Sequence, residues 1–214
     1  MPHANTSTHR FLSRLLISFA ALACLLAAAF APEPDAVPRR WEFDIKVGPL
    51  RMITADVPGV GKQPYFYLTY KVVNATGQDL LLAPSFDLAT GDGDLIRAGR
   101  DVPTDVTRQV LDLLSSPFIQ DQIGVLGMLL QGEENAKEGV VIWPVPRNQL
   151  DGISVYANGF SGETKSVQVP DPTSGELKKI ALRKTMMVRY ATPGELMGRD
   201  SAPFEVTEQR WIMR

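Results

Sequence analysis

The side chains that most often carry catalysis or bind metals are scarce in this chain. Its histidines are His3 and His9 and its only cysteine is Cys24, so residues 32–214 contain neither type. Thiolate or imidazole zinc sites, Cys–His nucleophiles and a Ser-His-Asp triad are therefore excluded for that stretch. Carboxylates remain, but none is spaced as a general acid/base pair. Glu133 and Glu134 are neighbours: on a strand they point to opposite faces, and in a turn both meet water. Thr90-Gly-Asp-Gly-Asp94 gathers Asp92 and Asp94 in the way a calcium loop gathers oxygens. The EF-hand spacing and its bidentate glutamate are absent, and the segment reads as a hairpin turn. Around Gly61-Lys62 the pattern resembles a phosphate loop only superficially, because Asp56 stands where its first glycine belongs and Gln63 where its Ser or Thr belongs. No cofactor is implied.

Residues that could make contacts are easier to name. Tyr65 and Tyr67 fall on the nominal outer face of an aromatic strand, Trp143 sits beside Pro144, and Arg210-Trp211 lies near the C-terminus. An exposed aromatic cluster marks an interface. The competing reading is packing: Tyr65 and Tyr67 under a helix or second layer, Trp143 and Trp211 in a core. Lys178, Lys179, Arg183 and Lys184 read as a solvated strand face rather than a polyanion site. Removing residues 1–31 takes away Arg10 and Arg14 and no acid, leaving 20 basic against 24 acidic side chains. A mildly acidic domain has no electrostatic footprint for nucleic acid.

The elements that must position these residues are mostly strands. From Tyr65 to Asn74, Phe66, Leu68, Tyr70 and Val72 alternate with Tyr65, Tyr67, Thr69, Lys71 and Val73, a period of two rich in aromatic and β-branched residues. With turn chemistry over 75–79 and a second strand region over 80–88, it predicts a central β-hairpin. Trp41 to Val47 alternates cleanly, Gly48-Pro49 breaks it, and 50–57 resumes as a further strand. Val106, Val110, Leu113 and Leu114 form a stripe that predicts one helix over 104–114, capped by Thr104 or Asp105. Strands follow at 123–131, 140–145, 150–157 and 178–190, with a turn over 132–139. The last stretch, 204–214, closes the chain. Many short strands with turns between them and no βαβ alternation predict an antiparallel sandwich carrying one inserted helix.

The N-terminus carries an address. Arg10 and Arg14 precede the apolar run 15–31, the layout of a secretory signal peptide or a signal anchor. Cleavage after Ala29 avoids Pro32. Left uncleaved, residues 11–31 would anchor the chain, with an apolar run over 15–31 near the lower limit for crossing a bilayer. Cys24 sits in an imperfect lipobox and is otherwise one small residue in an apolar segment. A Pro-rich spacer over 32–40 leads into a domain over 41–214. All of these readings place that domain outside the cytoplasmic membrane.

Over residues 41–160 a family pattern is visible: Tyr70-Lys-Val-Val-Asn-Ala-Thr-Gly77, Asp79-Leu-Leu-Leu82, Leu129-Leu-Gln-Gly-Glu-Glu134, Gly139-Val-Val-Ile-Trp143 and Ile153-Ser-Val-Tyr156. It resembles small extracytoplasmic bacterial immunoglobulin-like domains of unknown function, with Gln131 where that family often has proline and the helix near 104 as an addition. The resemblance implies an immunoglobulin-like β-sandwich in the periplasm or cell envelope, and no enzymatic activity. The expectation is a non-enzymatic binding or assembly module whose partner is another envelope protein. The alternative is an envelope protein that binds calcium or a glycan.

Overall fold

A computed structural model of the chain describes residues 40–146, 152–192 and 202–214. The apolar run, its flanks and most of the spacer lie outside these residues. Among the described residues, no helix is long and apolar enough to cross a membrane. Twelve strands and one helix account for the regular structure there, so the fold is all-β with a single short helix.

The strands form two larger sheets and one small one. Sheet one has the order β1 (Asp44–Val57), β2 (Gly61–Asn74), β8 (Gly132–Pro144), β6 (Ile119–Gln120); only the β6–β8 pairing is parallel. Sheet two runs β5 (Leu95–Arg97), β4 (Ser85–Thr90), β9 (Ile153–Asn158), β11 (Leu177–Tyr190), β12 (Val206–Met213), and β10 (Thr164–Pro170) pairs with the first half of β11. The small sheet joins β3 (Leu80–Leu82) to β7 (Gly127–Leu129).

One core lies between the two larger sheets. Leu50, Phe66, Leu68 and Trp143 from sheet one meet Phe86, Leu88, Ile153, Val155 and Val188 from sheet two. Tyr70, Phe86 and Phe160 stack there with ring centroids 4.8–5.8 Å apart, the offset and edge-on range that aromatic quadrupoles favour. Gly139 lies opposite Tyr70 in the β2–β8 register, and a Cβ on it would fall 2.5 Å from the phenol oxygen. Only glycine lets that ring lie across the strand.

The reverse face of sheet one is buried too. Helix α1 (Thr104–Leu114) sets Val106 and Val110 against Ala55, Tyr65, Tyr67, Val140 and Ile142. The stripe predicted for this helix is narrower than expected, since Leu113 turns to solvent. Its cap also differs from expectation. Pro103 holds the N-cap position in extended geometry with no side-chain cap, which its fixed φ permits, and Ser115 ends the helix in the left-handed region.

Four more expectations are corrected. Gly48-Pro49 does not split β1; it produces a register shift between Val47 and Leu50 inside one strand. The turn after Asn74 closes no hairpin, because β2 pairs with β1 and β8 and the chain then leaves the sheet. Residues 132–139, expected as a turn, are the first half of β8. Of the strand expected over 123–131, Gly127–Leu129 forms as β7, while Ile123 to Val125 lie in a turn fixed by Asp121, whose carboxylate accepts the N–H groups of Ile123 (3.0 Å) and Gly124 (2.6 Å).

Asn74 makes the exit from β2 possible. Its side chain is fully buried; the amide nitrogen donates to the carbonyls of Gln78 (2.9 Å) and Leu129 (2.8 Å), and its oxygen accepts from Thr76 N–H (3.1 Å) and Oγ1 (2.8 Å). Every polar atom of the amide is used. Replacing Asn74 by Asp turns the donor edge into lone pairs facing two carbonyls, and should cost about 3 kcal/mol in urea unfolding. Tyr70 provides the opposite case: its buried hydroxyl has no hydrogen-bond partner among the described residues, and burial raises its pKa well above the usual 10. Tyr70→Phe should therefore leave the unfolding midpoint unchanged or raise it by up to about 1 kcal/mol. A clear loss would mean that the phenol has a partner.

Candidate interaction surface

The five residues proposed as contacts do not come together. Tyr65 and Tyr67 lie on the outer face of β2 and are sealed beneath α1, only 5% and 3% exposed. Trp143 lies opposite Phe66 inside the main core and is fully buried. These three present no surface to a partner; their apolar bodies are worth more in the two cores than in water.

Arg210 and Trp211 are neighbours on β12 and so face opposite ways. Arg210 is on the outward face of sheet two, where its Nε meets Glu208 at 2.9 Å, and Glu208 also holds Arg189 at 3.1 Å. Trp211 pairs with Met186 and is half-buried on the inward side. It lines a cleft of about 450 Å³ together with Glu42, Phe43, Lys71, Glu133 and Met186. That volume would admit a small ligand. Several of the charges at the cleft are paired: Lys71 holds Glu133 at 3.3 Å, and Lys184, 5.5 Å from the Trp211 ring centroid, holds Glu42 at 2.7 Å and Glu163 at 3.1 Å; Asp44 and Lys46 line it as well. The hydrogen bond to Glu42, then that to Glu163, raises the Lys184 pKa above its ordinary 10.5. The cleft thus has an aromatic wall and paired charges.

Among the described residues, no group of three or more His, Cys, Asp or Glu side chains could hold a metal ion. Asp92 and Asp94 stand in the β4–β5 hairpin turn, where the Asp94 carbonyl accepts the Thr90 N–H at 3.0 Å.

Two surfaces stand out that the sequence did not announce. The first runs from the end of α1 to β7. Leu113, Phe118, Ile123, Leu126, Met128 and Leu130 are all exposed within eighteen residues, Phe118 by 75%. Leu81 on β3 faces the same way as Met128, its cross-strand partner, and the two are 62% and 54% exposed. Ile123 and Leu126 line one cavity of about 260 Å³ with Tyr70, Phe86 and Val141. The aliphatic area left in water along this connection is on the order of several hundred Å², the size at which exposed patches on soluble domains acquire a meaning. The second surface is the hairpin of β10 and β11. Val167 and Val169 alternate with polar residues ahead of the turn Asp171–Gly175, and that alternation was the available signal. Lys178 and Lys179 are consecutive on β11, so they lie on opposite faces rather than one.

Compared with known proteins, the chain matches no family model, no curated protein and no solved structure.

The charge cluster beside Trp211 yields a pH test. Because the folded state raises the Lys184 pKa, its contribution is complete below pH 10.5 and is lost as the pH climbs through the higher folded value. Lys184→Met keeps the stem against Trp211 and should cost about 1 kcal/mol near neutral pH. The gap between wild type and variant in thermal melts should close above pH 10.5. A constant gap would mean that the lysine acts by packing alone.

Proposed function

We propose that this chain is a non-enzymatic, extracytoplasmic module that works by protein contact in the cell envelope, exported or anchored by residues 1–31. The observation that carries the reading is the aliphatic surface along Leu113–Leu130 and Leu81, which neither core absorbs. Burying an exposed leucine against a partner is worth about 2 kcal/mol, so a few such residues support a stable contact. The basic n-region and apolar run ahead of residue 32 support the envelope address. The partner is another protein of that compartment.

The immunoglobulin-like reading of the fold belongs here as well. In that fold, strands A, B and E share one sheet and C, F and G the other. The order β1-β2-β8 beside β4-β9-β11 follows the same arrangement, with β5 added next to β4. Helix α1, β6 and β7 then occupy the connection between β5 and β8, as insertions. This is a likeness of strand order, and it carries no activity with it.

The test is cross-linked capture of full-length protein, tagged at its C-terminus, from its own envelope fraction. The tagged wild type and the double variant Leu81→Glu/Met128→Glu are compared, after checking that their unfolding midpoints agree. The expected result is one stoichiometric partner with wild type and at least tenfold less of it with the variant. Recovery of the protein alone, or equal recovery with both, would contradict the proposal. The mass of the captured chain reports whether residues 1–29 remain attached.

A further inference from the structure

The β10–β11 hairpin stands outside both cores. From Thr164 to Arg183 every side chain is exposed or half-exposed. Pairing of β12 with β11 ends at Lys184, and the first half of β11 has only β10 beside it among the described residues. The Lys184 N–H donates to Glu163 on the β9 side, whereas Arg183 exchanges hydrogen bonds with Arg214 on the other. The outer half of the hairpin is therefore a two-stranded ribbon with an unpaired edge on each side. Such a ribbon is at best marginally stable in water without a third element.

Register shows what the ribbon presents. Lys165 pairs with Leu182, Val167 with Ile180 and Val169 with Lys178, so these six side chains share one face. Four aliphatic residues are bracketed by a lysine at each end. Val169 and Ile180 are 36% and 39% exposed. Four cations against Asp171 and Glu176 make the ribbon net positive in a chain of net charge −2. An aliphatic strip flanked by lysines matches an anionic lipid surface, with the aliphatic groups at the acyl boundary and the ammonium groups among phosphates.

The chain's own connectivity points to the same occupant. Arg40, the first described residue, donates from Nη1 to the carbonyls of Thr164 (3.0 Å) and Gly162 (3.5 Å) and to Thr164 Oγ1, at the root of the ribbon. Ala31, the end of the apolar run, is nine residues away, about 30 Å when fully extended. A membrane entered by that run thus lies within reach of the ribbon's root.

We propose that the Val167–Ile180 face of the β10–β11 ribbon lies on an anionic lipid surface, the outer leaflet of the membrane that holds the N-terminal run. This rests on reading residues 11–31 as a retained anchor. The test uses the full chain carrying Cys24→Ala and Ile180→Cys, labelled at residue 180 with an environment-sensitive fluorophore. It is reconstituted into vesicles of phosphatidylglycerol mixed with phosphatidylcholine, or of phosphatidylcholine alone, each doped with brominated lipid. Expected are a blue shift and bromine quenching in the anionic vesicles. The quenching should fall at least fivefold in neutral vesicles and in the Lys165→Glu/Lys178→Glu variant, while all samples still float with lipid. A label that stays in water on floating vesicles would overturn the ribbon proposal and leave the anchor reading standing. Failure to float with either lipid would overturn both. A blue shift in detergent without lipid that grows with protein concentration would assign the face to a second copy of this chain, also against the proposal.

Discussion

Strand β2 must be buried on both faces, and the rest of the domain follows from that constraint. Phe66, Leu68, Tyr70 and Val72 point to one side and Tyr65 and Tyr67 to the other, and all six are at most 5% exposed. In a two-layer sandwich each sheet has one core face, so two layers could bury only one of these two sets. The molecule adds a layer on each side: sheet two over the first set and α1 over the second. β1 and β8 flank β2 and leave no edge of it open. The edge passes outward to β1, where Gln109 of α1 meets it. Its amide accepts the Asp56 N–H at 2.9 Å and donates to the Asp56 carbonyl at 2.8 Å. One glutamine side chain stands in for a neighbouring strand there, a local cover against edge-to-edge pairing.

With Tyr65, Tyr67, Tyr70, Phe66 and Trp143 committed to packing, the chemistry left on the surface is plain. Charges are paired in small groups: Glu208 between Arg189 and Arg210, Lys184 between Glu42 and Glu163, and Arg214 on Asp87 with its guanidinium 4.2 Å from the Tyr156 ring. Exposed pairs of this kind contribute little to stability individually. The Glu208 and Asp87 groups do make the outward face of sheet two polar and hydrated, while the Lys184 group borders the cleft beside Trp211. The surfaces that are not polar lie elsewhere, on the Leu113–Leu130 connection and on the β10–β11 ribbon. The described domain thus has one polar sheet face, one helix-covered face and two aliphatic surfaces.

Much of the fold was legible because its strands alternate. In β2 the period of two marks the strand, and in the second half of β11 Met186 and Val188 keep the expected apolar register in the core, although Ile180 further up that register is exposed; the helix was placed over 104–114 by its valines. What alternation cannot supply is the identity of the layer that covers each register. Tyr65 and Tyr67 were open between an outer contact face and packing beneath a helix, and packing holds because Val106 and Val110 lie on them, which nothing local says. Trp143 was open in the same way, and its place in the core is set by sheet two. Residues 132–139 read as a turn because glycines bracket Glu, Asn and Lys; pairing with β2 overrides that composition, as strand context often does. The Asn74 exit was misread as a hairpin, since its hydrogen bond to Leu129 spans 55 positions and has no local signature. Leu81 and Met128 were missed because an aliphatic residue is by default assigned to a core.

Hydrogen exchange of the purified full-length chain, followed by mass spectrometry, tests this account most directly. Amides of β2 from Phe66 to Tyr70 should exchange only through global unfolding, and those of α1 faster, since the helix can leave its sheet without opening the main core. The β10–β11 ribbon beyond Arg183 should exchange fastest of the strands. If the ribbon were as protected as β2 in the purified protein, it would already be packed against another part of the chain, and the division into two inner cores and free outer surfaces would be wrong.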